Sequence, residues 1–223
     1  MTPAELTGAR YRILGVDFGQ AQDPTAAVYL DWQKYLPEPH YNLRQIRRWE
    51  LGTKYTDIVA DLVAIAGEPI MEDGVLVCDE TGCGKPVLDM LTVELVKART
   101  PTYGVVGVTV TGGSAQSIVP GSSGRWRVAK TRLVASMVCI MQQRRLHVAG
   151  ELPLAPLLQR ELTNYRIKIS TAGNELYEAY RDGQANDDIV FAAMLGLWAA
   201  QNLSRFRQPR PEPRRLALWP VPW

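Results

Sequence analysis

Histidine is almost missing from this chain: its 223 residues contain two, His40 and His147. Neither stands near a plausible nucleophile in sequence, which argues against a Ser-His-Asp hydrolase, a His-rich zinc site or a histidine-based nuclease. Any hydrolysis must then rest on carboxylates and metal ions. Cysteine is nearly as scarce. Cys78, Cys83 and Cys139 are an odd number without zinc-type spacing, so buried, reduced thiols are expected, Cys78 and Cys139 lying in apolar runs. No apolar run reaches transmembrane length, and Glu5, Arg10 and Arg12 interrupt the stretch where a signal peptide would need an apolar core. The expected location is the cytoplasm of the cell that makes the protein.

Net charge is also small, a formal +2, but it is unevenly spread. Residues 1–100 carry 15 acids against 10 bases, whereas residues 125–168 carry nine bases against two acids. Such a basic stretch suits a polyanion partner or a solvated basic face equally well. The length and the 46% hydrophobic content fit one sizeable α/β domain with a real core.

Apolar periodicity orders the chain. Residues 11–18, 25–32 and 41–51 read as strands, the first two joined by a short turn at 19–24 that favours an antiparallel hairpin. Residues 55–66 set Ile58, Val59, Leu62 and Ile65 on one helical stripe. The continuously apolar 74–79 reads as a strand covered on both faces, followed by a helix at 85–98 and a strand at 104–110. The Gly/Ser-rich 111–124 reads as a mobile loop. Helices are expected at 128–143, 154–164 and 187–203, a short strand at 146–148 and an irregular hairpin at 165–180. This order predicts one α/β domain over 1–203 with a poorly ordered Pro/Arg-rich tail at 204–223. Its mixed sheet, flanked by helices, should be antiparallel over the first three strands and parallel afterwards.

Two of these strands end in acids. Asp17 closes the first and Asp79 the fourth, and charge at a buried strand end costs free energy unless something pairs with it. A helical crossover lets the two strands lie side by side with both carboxylates at one edge, where their repulsion invites a divalent cation. Asp187 and Asp188, where carboxylates suit the dipole of the last helix, offer a third ligand. Oxygen ligands suit Mg²⁺ or Mn²⁺ better than zinc. Taken singly, a strand-end Asp is more often a turn or cap residue.

The segment GVDFGQAQDPTAAVYL (15–30) resembles the first motif of the RNase H-like nuclease domain of phage large terminases. VLVCDETGCGKPVLDML (75–91) is similar to the second, a hydrophobic strand followed by Asp-x-Thr-Gly-x-Gly. NDDIVFAAMLGLWA (186–199) looks like the third, with Asn186 where the family commonly has histidine. The match runs in order from about 11 to 203. The resemblance implies an endonuclease that cuts concatemeric viral DNA during genome packaging. It also implies ligation of two divalent ions, roughly 3.5–4 Å apart, by Asp17, Asp79 and one or both of Asp187 and Asp188. Double-stranded DNA would be the substrate, and an ATPase motor domain, a small terminase and a portal protein the possible partners.

Lys130 opens a helix in the basic region and is a candidate phosphate contact, with Arg125, Arg127 and Arg132 as candidate grips on the DNA backbone. Thr81-Gly82-Cys83-Gly84-Lys85 is not a P-loop, because Pro86 replaces the Ser/Thr that would hold Mg²⁺. The terminase motor is thus not expected within these residues. Three other readings remain open: a Holliday-junction resolvase, set apart by a four-way substrate; an actin- or sugar-kinase-like ATP-binding protein, set apart by stabilisation with ATP; and a DNA-binding module without catalysis.

Overall fold

A computed structural model of the chain describes residues 10–19, 23–33, 38–119, 124–169, 175–179 and 187–206. Asn186, part of the turn at 19–24 and the tail beyond Phe206 lie outside the described residues. Strands β1 (Arg10–Asp17), β2 (Ala26–Gln33) and β3 (Tyr41–Arg48) form an antiparallel meander. On the other side of β1 lie β4 (Val75–Asp79), β5 (Gly104–Thr111) and β7 (Arg125–Ala129), each parallel to its neighbour. Two short strands complete the edges: β6 (Gln116–Ile118), antiparallel to β7, and β8 (Leu146–Val148), parallel to β3. The eight strands run in the order β6-β7-β5-β4-β1-β2-β3-β8, and β9 (Tyr165–Ile169) and β10 (Glu175–Ala179) pair separately. This is the mixed α/β sheet that the sequence predicts.

Helices cover both faces. Alternate residues of the meander divide between them: Leu14, Val16, Ala27 and Tyr29 pack with α1 (Tyr55–Gly67) and α2 (Gly84–Ala98). Ile13, Ala26, Val28 and Leu30 pack with α3 (Lys130–Gln142), α4 (Ala155–Asn164) and α5 (Asp188–Phe206). The two only histidines of the chain meet far from the acids, His40 Nδ1 lying 2.7 Å from His147 Nε2 beside the start of β3.

Three expectations need correction. The stretch 111–124 is not one loop, because β6 lies inside it and pairs with β7. Residues 125–129 are a strand, and the helix begins at Lys130 rather than 128. The signal was present but faint: Trp126 and Val128 point inward, with Arg127 outward between them, which is a period of two. Finally, the three thiols are free, but Cys139 is exposed and Cys83 only partly covered, so only Cys78 is buried.

The last helix is apolar on all sides and is buried on all sides from Asp188 to Ala200. Ile189, Val190, Ala193 and Leu197 are therefore one side of a helix enclosed all round as far as Ala200. It sits so close to β1 that a Cβ added at Gly15 would stand 2.1 Å from the Ala192 carbonyl oxygen. Among the described residues, no helix is long and apolar enough to cross a membrane. The contact yields a test: Gly15→Ala must push α5 off the sheet and should lower stability by about 1–3 kcal/mol in urea unfolding. An unchanged unfolding midpoint would show that the helix does not seat this closely.

Candidate active site

The parallel register of β1 and β4 pairs Val16 with Cys78, so Asp17 and Asp79 follow side by side at the carboxyl ends of adjacent central strands. Both lie on the α5 face, two residues on from Gly15 and Val77. Across the meander, Asp17 pairs with Ala26 and Ala26 with Arg48, which makes one row of three strands. Beyond Asp79 the chain turns sharply. Thr81 N donates to Asp79 Oδ1 at 2.8 Å, while Thr81 Oγ1 accepts from Val110 N at 2.9 Å and ties the turn to β5. Gly84 is needed here because a Cβ would fall 2.2 Å from the Asp79 carbonyl oxygen.

The start of α5 meets this row from above. Asp188 is buried, and its Oδ2 accepts from Arg48 Nε at 3.2 Å and Nη2 at 3.0 Å. Asp187, half-buried, caps the helix through its backbone, its carbonyl accepting from Phe191 N at 2.7 Å. From α4, Glu161 places Oε2 at 3.0 Å from both Ile189 N and Val190 N, satisfying two donors of the first turn. Its other oxygen is buried with no partner among the described residues.

Crowding of these acids shows in their proton affinities. Burial first, then the charges of Asp79, Asp188, Asp187 and Asp23, hold the Asp17 carboxyl well above the usual range. Burial also raises Asp79, against the pull of its bonds from Thr81 and of the Lys130 ammonium. Asp188 is pushed up to about 6 by burial despite Arg48, and Glu161 to about 7 by burial despite its two N–H donors. Asp17 is thus the residue on which the charges of the other three sequence-nominated acids converge, together with that of Asp23.

The basic candidates separate. The Lys130 ammonium, whose charge lowers Asp79, lies 5.5 Å from the Phe191 ring and 6.0 Å from that of Tyr165. Arg127 and Arg132 are exposed, although Arg132 Nε donates to the Ser114 carbonyl at 2.9 Å. Arg125 turns inward: Nη1 donates to buried Glu80 at 2.7 Å and Nη2 to Asp89. Its guanidinium braces the strand ends of β4 and β7. Arg48, Glu161 and Glu80 were not singled out from sequence. For Arg48 the signal existed, since the alternation of β3 puts it on the inward side with Ile46. Glu161 left none, because only the fold brings α4 to the start of α5.

All donors gathered here are carboxylate oxygens, the ligand chemistry of Mg²⁺ and Mn²⁺. Like charges buried this closely are relieved by a dication. Among the described residues, no three His, Cys, Asp or Glu side chains are spaced to grip an ion as they stand. Arg48 and Lys130 supply positive charge instead.

The sequence matches no protein-family model and no curated protein. The fold does find matches. The terminase nuclease domain of human cytomegalovirus, Mn soaked and inhibitor bound, superposes with a TM-score of 0.54 at 10% identity, covering 87% of this chain and 86% of that one. The large terminase nuclease domain of bacteriophage SPP1, with bound Mn, gives 0.51 at 14% identity over 91% and 92%. The chain has the RNase H-like fold of these nuclease domains.

The raised carboxyls predict a pH effect on folding. Each of these acids keeps its proton to higher pH in the folded chain than in the unfolded one. Their contribution to stability is therefore full below the ordinary carboxylate range, near pH 4, and is lost as pH rises towards 7. Glu161→Gln keeps an acceptor for Ile189 and Val190 but cannot ionise. Urea midpoints measured from pH 4.5 to 7.5 should decline less steeply in the variant. Parallel curves would refute a protonated Glu161.

Proposed function

We propose that this protein is a divalent-metal-dependent DNA endonuclease of the terminase type, cutting phosphodiester bonds with two Mg²⁺ or Mn²⁺ ions. The observation that carries the reading is the side-by-side placement of Asp17 and Asp79 at adjacent strand ends, directly under the Asp187–Asp188 start of α5. Two carboxylates on one sheet edge and a third on a facing helix make a donor set with little other use. Manganese in the SPP1 and cytomegalovirus domains of the same fold supports the choice of metal.

Asp17, Asp79 and one or both of Asp187 and Asp188 would hold the ions. When bound, the cations supply the concentrated positive charge that offsets charge developing on a scissile phosphate. The chain's own residues do the rest. The strand ends fix Asp17 and Asp79 against each other with no flexible linker, and Thr81 N–H holds Asp79 in one orientation. Lys130, steadied between two aromatic rings at the rim, is placed to meet a phosphate oxygen. Arg127 and Arg132 extend a basic surface from that rim and would bind the DNA backbone without reading sequence. Arg125, engaged by Glu80 and Asp89, serves DNA binding only by bracing that surface. We further propose that the natural substrate is concatemeric viral DNA in the host cytoplasm, delivered by an ATPase motor with a small terminase and a portal protein.

Purified protein should nick and linearise supercoiled plasmid with Mn²⁺ or Mg²⁺ and stop when EDTA is added. Asp17→Asn and Asp79→Asn should each lower the rate by on the order of 10² or more. Linear duplex should be cut without preference for four-way junctions. Cleavage that persists in EDTA and in both variants would overturn the assignment.

A further inference from the structure

We propose that Arg48 is a positioning residue that grips Asp188 by one carboxylate oxygen and so presents the other to a divalent cation shared with Asp17 and Asp79. The inference rests on the nuclease reading and deepens it, since it assigns the metal to Asp188 rather than to Asp187.

Arg48 is the last residue of β3, two strands away from Asp17 in the same row. The residue between them is Ala26, whose single methyl leaves the surface open for a long side chain to pass beneath α5. The Arg48 side chain is 27% exposed, and its guanidinium uses two of its donors on the same atom, Nε at 3.2 Å and Nη2 at 3.0 Å from Asp188 Oδ2. A bidentate fork would have spanned both oxygens. Here both bonds converge on Oδ2, and no donor among the described residues takes Oδ1. Oδ1 is therefore the oxygen left for a cation.

The backbone around Asp188 is held as firmly as its side chain. It is the first residue of a helix buried through Ala200, and Glu161 satisfies the two amides that follow it. Its position is thus set by β3 on one side and α4 on the other. Asp187 is less enclosed and serves the helix as a cap through its carbonyl. Hydrogen bonds that orient a ligating carboxylate commonly change metal affinity by about 10- to 100-fold. A guanidinium at this place also compensates Asp188 before any cation arrives, since a buried carboxylate left alone is strongly destabilising.

The opposite role for the same contact, Arg48 as a plug that competes with the cation, is the alternative the experiment separates. The two roles differ in sign. Mn²⁺ affinity is measured by titration with detection of free Mn²⁺ by electron paramagnetic resonance, which needs no turnover, and thermal unfolding without metal monitors the fold. Arg48→Met should weaken Mn²⁺ binding about 10- to 100-fold, and Arg48→Lys should recover part of the loss. In an Asp188→Asn background, Arg48→Met should cause no further loss, because its effect runs through Asp188. If Arg48→Met does not fold, the same cycle with Arg48→Lys decides the matter by a loss confined to the Asp188 background. Equal or tighter binding in the Arg48 variants, or an undiminished loss in the Asp188→Asn background, would overturn the proposal while leaving the nuclease reading intact. Wild-type protein that binds no Mn²⁺ would instead remove that reading, and this inference with it.

Discussion

Repulsion between closely set, partly buried carboxylates is the governing constraint of this structure. Asp17 and Asp79 follow paired residues of adjacent parallel strands, and α5 adds Asp188 to them from the facing layer. Burial first, with the neighbouring charges added, raises each of these acids above its ordinary range. The surrounding structure tolerates the cluster through local compensation: Thr81 on Asp79, Arg48 on Asp188 and Lys130 at the rim. The compensation is partial, and under the proposed nuclease function a divalent cation would complete it.

The fold explains why the cluster stays in place. The close seating of α5 on Gly15 leaves the helix no freedom to slide, and its enclosure by α3, α4 and the sheet fixes its first turn over the strand ends. Glu161 is the clearest sign of this design. A carboxylate brought in from α4 caps the helix where Asp188 begins, although one of its oxygens finds no partner among the described residues. Such a cost is tolerated where the position of a neighbouring side chain matters. Arg125 with Glu80 does the same for the opposite side, holding β7 to the end of β4.

Much of this was legible in the amino-acid sequence where the pattern was local. The apolar runs that end at Asp17 and Asp79 mark buried strands, and the Thr-Gly-Cys-Gly turn reflects the tight approach of Gly84 to Asp79. The α1, β8 and α4 positions follow from periodicity and turn residues. What escaped was non-local. β6 is a three-residue edge strand defined by its pairing with β7, which in turn pairs with β5, and the Gly/Ser-rich residues around β6 leave little apolar signal beyond Trp126 and Val128 of β7. Arg125 lies in a basic run that reads as a surface, yet it points at a buried glutamate that only the sheet brings near. Arg48 and Glu161 reach the site from β3 and α4, far along the chain from the residues they hold.

Anomalous diffraction from crystals of the wild-type protein soaked in Mn²⁺ tests the central claim most directly. A manganese peak within coordination distance, about 2.0–2.3 Å, of carboxylate oxygens from both Asp17 and Asp79 is the outcome this account predicts. Manganese found only elsewhere on the molecule, with these two aspartates unliganded in a saturated soak, would contradict it.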